Sequence, residues 1–210
     1  MENGGKSLAI IGGGGHGKVI ADVAEQLGWN NIVFFDSGWP NVSSNGHWKI
    51  VGNDSDFFYK NEQYHGVIVA IGNNEVRYEK TKELIEMGVN VVSLIHPSAV
   101  VSKHSHLGPG SLVAANAVIN PYTNIGFAAI VNTSSSIDHD CEIGDSVHIC
   151  PGARIAGGVK IKNKSWIGIG ASVIQKIEIG ESSMIGAGSA VINNISDHVT
   201  AVGIPAKVKS

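Results

Sequence analysis

The stretch Ile125-Gly126-Phe127-Ala128-Ala129-Ile130-Val131-Asn132-Thr133-Ser134-Ser135-Ser136-Ile137-Asp138-His139-Asp140-Cys141-Glu142-Ile143 decides the fold of half the chain. Aliphatic residues stand six apart at Ile125, Val131, Ile137 and Ile143, and small ones two places before, at Ala129, Ser135 and Cys141. Followed outward, the series is unbroken from Ile95 to Val191. Glycine often comes next, as at Gly108, Gly126, Gly144, Gly168, Gly180 and Gly186. A period of six is neither the 3.6 of a helix nor the 2 of a lone strand. It describes a solenoid of short strands and corners, three hexads to a triangular coil of about 18 residues. Aliphatics point inward, small residues fit the narrow interior, and glycine is expected to supply the corner conformations.

The whole-chain composition is an average over this segment and a different one. Of 210 residues, 43% are apolar, 16% charged and 6% aromatic, with 27 glycines and a net charge of −3. That balance excludes a disordered chain. A pI near 6.3 speaks against a nucleic-acid or membrane-surface partner. No run approaches the roughly 18 apolar residues of a membrane span. Leu8-Ala9-Ile10-Ile11 is too short for a signal-peptide core. Two cysteines, Cys141 and Cys150, make no disulfide framework, so a cytoplasmic protein with reduced thiols is expected. After residue 90 the aromatics are Tyr122, Phe127 and Trp166, which places a domain boundary near residue 94.

Residues 1–94 read as an alternating α/β unit. Strand Ser7–Ile11 leads into Gly12-Gly13-Gly14-Gly15-His16-Gly17, and a helix is expected over about 18–27. A second strand over 32–35 ends at Asp36, a third over 67–71 ends at Gly72-Asn73-Asn74, and a second helix covers about 75–87. Gly12, Gly14 and Gly17 match G-x-G-x-x-G, and Asp36 follows some twenty residues later. Bare N–H groups at a helix N-terminus suit a diphosphate, with Asp36 accepting from a ribose or base. A ligand-free turn is the alternative, and a unit this short fits a mononucleotide-type ligand better than a dinucleotide.

On the solenoid, polar departures mark chemistry. His139 follows a corner aliphatic, points outward, and lies between Asp138 and Asp140. A carboxylate on one ring nitrogen fixes the tautomer and raises the basicity of the other, as a general base requires; a solvated Asp-His-Asp run is the alternative. His148, half a coil on, belongs to a different face. His96, His104 and His106 raise a zinc-hydration alternative, although their spacing forces no such site. Cys141 is expected to be buried and inert, and Cys150 lacks a base partner. Flat faces and coil ends invite a partner, most simply a ring of three prisms.

These residues resemble the sugar O-/N-acyltransferase family of the sialic acid O-acetyltransferase type, and within it the UDP-4-amino-sugar N-acetyltransferases that form UDP-N,N′-diacetylbacillosamine. The resemblance is carried by Gly13-Gly14-Gly15-His16-Gly17, Ala70-Ile71-Gly72-Asn73-Asn74-Glu75-Val76-Arg77 and Leu94-Ile95-His96-Pro97-Ser98-Ala99. Asn132-Thr133-Ser134-Ser135, Asp138-His139-Asp140-Cys141 and Gly203-Ile204-Pro205-Ala206-Lys207 carry it through the second half. It implies an α/β Rossmann-like nucleotide-sugar domain over 1–94, then a left-handed parallel β-helix acyltransferase domain over 95–210. It also implies a homotrimer with active sites between subunits. By the same resemblance His139 is the general base, Asp140 increases its basicity and Asn132 lies nearby. His148, Gly157, Ile169 and Ala187 would line the acetyl-CoA groove, and Gly14, Gly15, His16, Asp36, Ser37 and Gly72 would hold the UDP-sugar. No metal is implied. Aspartates stand at 138 and 140 where the nearest relatives carry glutamates, and the loop has glycine at 14 where they place serine. Direct acetyl transfer to a sugar 4-amino group follows, with a Gly157 N–H steadying the oxyanion. O-acetylation of a sialic acid, GDP- or dTDP-linked amino sugars, and a non-catalytic nucleotide-sugar-binding trimer are the rivals.

Overall fold

The computed structural model describes residues 5–209 and divides into two compact units, at Leu94/Ile95. The first contains, in order, β1 (Lys6–Ile11), α1 (Gly15–Gln26), β2 (Trp29–Phe35), β3 (Ser44–Asn45), β4 (Trp48–Gly52), α2 (Asp54–Lys60), β5 (Gly66–Val69) and α3 (Asn74–Glu86). Its sheet runs β3-β4-β2-β1-β5 and is parallel except where β3 turns back on β4. β1 lies between β2 and β5, with Ile11 beside Phe35 on one flank and Val69 on the other. The near-continuous apolar run of β1 is the mark of a parallel strand covered on both faces. Phe35 meets Phe57 and Tyr64 edge-on at 5.3 and 5.7 Å, and Ala9, Ile11, Val67, Val69 and Leu84 complete that core.

The elements differ from the sequence expectation in two places. α1 starts at Gly15, so His16 and Gly17 belong to its first turn. Gly17 is held there by packing: a Cβ would lie 2.6 Å from Gly12 O and 2.8 Å from the Phe34 ring. The β3–β4 hairpin and α2 occupy what reads as loop. Seven residues are too few to show a helical period, and α2 is fixed instead by a capping box between Asn53 and Asp56.

The second unit is a left-handed parallel β-helix. Two-residue strands stack into three sheets with a register of 18: Val100, Val118, Ser136, Arg154, Ser172 and Ala190 form one outward column. The inward residues, from Val113 to Val191, are the buried core. Hydroxyls facing inward satisfy themselves on the corner backbone, as Ser135 Oγ does on Asn132 O at 2.7 Å.

Glycine follows the expectation only in part. It takes the left-handed corner position at Gly110, Gly152, Gly158, Gly170 and Gly188, but Asn116, Tyr122, Ala128, Ser134, Asp140 and Ser146 hold the same position with φ between 52° and 62°. The glycines after the inward aliphatics are needed for coil stacking instead. A Cβ on Gly108 would sit 2.5 Å from Gly126 C, and one on Gly168 2.6 Å from Ala187 N. Coils stacked at strand spacing leave no room there.

Candidate active site

Asp138-His139-Asp140 forms the corner after the strand Ser136–Ile137. His139 Nδ1 and Asp140 Oδ2 are 2.7 Å apart, a charge-assisted length, and both side chains are more than half exposed. The Asp140 hydrogen bond, then the Asp138 charge, hold the imidazole above its ordinary pKa. Asp138 is engaged elsewhere: its Oδ1 accepts His139 N–H and Asn120 Nδ2, each at 2.9 Å. These two donors hold its carboxyl below the usual carboxylate range. A groove of about 390 Å³ opens beside Asp138, between Asn120, Ser136, Arg154, Ser172 and Gln175.

Gly157 is one coil on from His139, and Gly158 N donates to His139 O at 2.9 Å. A Cβ on Gly157 would lie 2.7 Å from His139 Cε1 and 2.8 Å from Nε2. The bare backbone therefore forms the floor under the ring.

A second group lies on another edge of the prism. Asn132 follows the strand Ile130–Val131, and its amide is 3.0 Å from Nε2 of His148 on the adjacent strand. His148 is buried (6% exposed) and meets Trp166 edge-on at 4.3 Å. Along this edge Gly170 N bonds Pro151 O and Gly188 N bonds Ile169 O, which stacks Ile169 under Ala187. Asn132, His148, Ile169 and Ala187 thus share one edge, and His139, Asp140 and Gly157 share the next. Within one chain Asn132 is not beside His139: strand Ser136–Ile137 separates their corners.

In the first unit the loops after β1, β2 and β5 open at the carboxyl ends of three adjacent strands, where parallel sheets take ligands. Gly14, Gly15 and Gly72 are exposed, with nothing within 4 Å of where their Cβ would be. Ser37 is exposed on the loop after β2. Asp36 is not the unengaged acceptor its strand-end position suggests: Oδ2 takes Gly13 N–H at 2.7 Å and Oδ1 takes Gly38 N–H at 2.8 Å. It ties two loops together. Burial, then the Arg77 charge, push His16 down to about 4, so the ring is neutral near pH 7. Arg77, 1% exposed, donates to Ile71 O, Gly72 O and Asn74 Oδ1 at 2.8 to 3.1 Å. It shapes the Gly72 turn. Sequence reading quoted Arg77 without giving it a role, and a charged residue in the first turn of an expected helix gives no signal of burial.

The profile of the PglD N-terminal domain matches residues 7–84. A UDP-N-acetylbacillosamine N-acetyltransferase of Bacillus subtilis (strain 168) is 37% identical over 111 residues, 51% of each chain. The aligned segment thus spans about half of that curated relative. The acetyltransferase domain of PglB from Neisseria gonorrhoeae FA1090, solved with acetyl coenzyme A, superposes with a TM-score of 0.93. It is 36% identical, covering 98% of this chain and 100% of that one. The chain belongs to this sugar acyltransferase family. A further member, PerB from Caulobacter crescentus, solved with CoA and GDP-perosamine, is 35% identical with a TM-score of 0.91, covering 97% of each chain.

Sugar acyltransferase membership accounts for the sequence motifs but leaves some residues without a site role. His96 Nδ1 is occupied by Ser98, N and Oγ, at 2.9 and 2.8 Å, and His104 stacks on Tyr122. Among the described residues no His, Cys, Asp or Glu cluster is placed to hold a metal, and no helix is long and apolar enough to cross a membrane. Cys141 and Cys150 are buried; burial raises the first thiol and pushes the second up to about 12, far from a reactive thiolate.

Proposed function

We propose that this chain is an acetyl-CoA-dependent N-acetyltransferase that acetylates the 4-amino group of a UDP-linked 4-amino-4,6-dideoxy sugar, forming the UDP-N,N′-diacetylbacillosamine type of product. Residues 1–94 serve as the nucleotide-sugar-binding domain and 95–210 as the acyltransferase domain. The observation that carries the reading is the 2.7 Å His139–Asp140 pair above a glycine floor, in a relative of a protein solved with acetyl coenzyme A.

Asp140 accepts a hydrogen bond from Nδ1–H, which leaves Nε2 as the basic nitrogen. The neutral amine adds to the thioester carbonyl, and Nε2 takes a proton as the C–N bond forms. The C–S bond then breaks, and the proton taken by Nε2 passes to the sulfur so that CoA departs as a thiol. A Gly157 N–H stabilises the negative charge that builds on the carbonyl oxygen. Gly157 lacks a side chain that would fill the space beside Nε2, which fits a thioester brought against the ring.

The separation of two edges supports a homotrimer. A groove bounded by Gly157 on one side and by Ile169 and Ala187 on the other requires two copies, since each prism presents them on different edges. His148 and Asn132 of one copy then face His139 of the next. On the nucleotide side, Gly14, Gly15 and the first turn of α1 hold the diphosphate, with His16, Ser37 and Gly72 around them, and Asp36 accepts from the ribose or base.

A GDP-linked amino sugar is the second reading, favoured by the likeness to PerB, which was solved with GDP-perosamine. A thiol-release assay with acetyl-CoA tests both, run across UDP-, GDP- and dTDP-linked 4-amino sugars and a sialic acid. Release with one amino sugar, abolished by His139→Ala, supports the reading. Absence of release with every acceptor sinks it in favour of a non-catalytic binding trimer.

A further inference from the structure

The Asp138–Cys141 corner is held from the coils on both sides. Asp138 N donates to Ile155 O at 2.9 Å and Asp140 N to Pro121 O at 3.2 Å. Thr123 Oγ1 donates to Asp138 O at 2.7 Å and accepts from Cys141 N at 3.2 Å. Such contacts fix the backbone. One contact does something else: Asn120 Nδ2 donates to Asp138 Oδ1, the oxygen that also accepts His139 N–H.

Two carboxylates flank His139 in sequence, yet only Asp140 is on the ring. The Asp138 carboxylate is folded back on the backbone, and of its two donors only Asn120 is a side chain. Asn120 stands 18 residues earlier, directly beneath it in the stack, where Val118 pairs with Ser136. An Asp-His-Asp triplet with both carboxylates mobile has no single tautomer, because an acceptor at Nε2 would draw the proton there and erase the basic atom.

We propose that Asn120 is a positioning residue: by holding the Asp138 carboxylate against the backbone, it leaves Asp140 as the sole ring partner of His139 and keeps Nε2 as the proton acceptor. This rests on reading His139 as the general base. The charged groups facing the ring within one chain are Asp138 and Asp140. Cys141 Sγ is turned to backbone, to the Ala156 carbonyl at 3.2 Å and the His139 carbonyl at 3.6 Å, and Arg154 borders the groove on the Asp138 side.

The test is a double-mutant cycle on the full chain, with His139 titrated by NMR and kcat and KM measured across pH. Asn120→Ala removes the donor, and Asn120→Leu removes it while keeping the side-chain shape and adding no charge, so a packing defect in the first is recognised by comparison with the second. In both, the His139 midpoint rises as a second carboxylate reaches the ring. kcat at pH 7 falls roughly tenfold, the scale of one hydrogen bond to a charged group, with both KM values within about twofold of wild type. In an Asp138→Ala background, Asn120→Ala has no further effect on either readout. Unchanged midpoint and kcat in Asn120→Ala overturn the proposal, as does an undiminished effect without Asp138. A wild-type chain that transfers no acetyl group while its His139 titration responds to Asn120 overturns the function and leaves the clamp standing.

Discussion

Gly157 lies directly against the imidazole of His139, so close that a Cβ at 157 would stand 2.7 Å from Cε1 and 2.8 Å from Nε2. Gly157 is itself buried, and the ring above it is exposed, so the ring is what moves when 157 is enlarged. Gly157→Ala therefore acts on catalysis and not on the fold. A tilt of the ring moves Nε2 away from its line of proton transfer, where displacements of about an ångström cost on the order of 100-fold. The expected result is a kcat lowered by about that factor, with the melting temperature within a few degrees of wild type. A kcat equal to wild type would show that the floor has no role.

The His139–Asp140 contact sets the pH dependence. A base must be neutral to act, and Asp140 raises the His139 pKa, so activity climbs with pH through a midpoint above the ordinary imidazole value. Asp140→Asn removes the charge and leaves only a neutral, weaker acceptor for Nδ1–H. The acidic limb of the kcat profile then moves to lower pH, while the plateau falls because the imidazole is a weaker base. An unmoved limb would mean that Asp140 is not the partner in solution.

His16 predicts a stability effect of its own. Its folded pKa, about 4, lies below the ordinary 6.5, because burial and Arg77 disfavour the cation. Below pH 6.5 the unfolded chain takes up a proton that the folded one refuses, so stability falls as pH drops from about 6.5 to about 4. The contribution is on the order of 3 kcal/mol across that window and is absent above it. Denaturant unfolding of the full chain at pH 7 and pH 4.5, followed by probes in residues 5–94, should show this loss reduced in His16→Asn. An identical loss in both chains would exclude His16 as its source.

How much of this was legible in the sequence depended on period. The hexads predicted the solenoid and, from Val113 to Val191, its buried inward residues, because one aliphatic per side is a geometric necessity of a triangular coil. At the first coil Ile95 is exposed and Val101 and Leu107 are half-buried. The same period of 18 placed Asn120 beneath Asp138 and Gly157 above His139, but only once strands and corners were assigned. The hairpin of β3 and β4 and the short α2 stayed hidden, since neither is long enough to display a period and both depend on tertiary packing, Trp48 on Glu25 among it. At Asp36 the sequence did not show the structural half of its role. A strand-end aspartate is suited both to a ribose and to the N–H of a neighbouring glycine, and Gly13 and Gly38 each donate to one of its oxygens.

The two edges of the prism make the last prediction the most discriminating. One chain carries His139 with Asp140 and Gly157 on one edge, and Asn132 with His148, Ile169 and Ala187 on another. If a site is built from the first edge of one copy and the second edge of its neighbour, each of His139→Ala and His148→Ala alone damages every site in a trimer. Co-expressed in equal amounts, the two variants assemble randomly. A site is then intact whenever His139 comes from a His148→Ala copy and His148 from a His139→Ala copy, about a quarter of the time. Mixed trimers should therefore recover about a quarter of wild-type activity, where each variant alone has little. Simple mixing of pre-formed trimers should give no recovery until subunits exchange. If co-expression restores nothing beyond the sum of the two variants, His139 and His148 do not meet across copies, and the proposed acetyl-CoA groove must be redrawn within one prism.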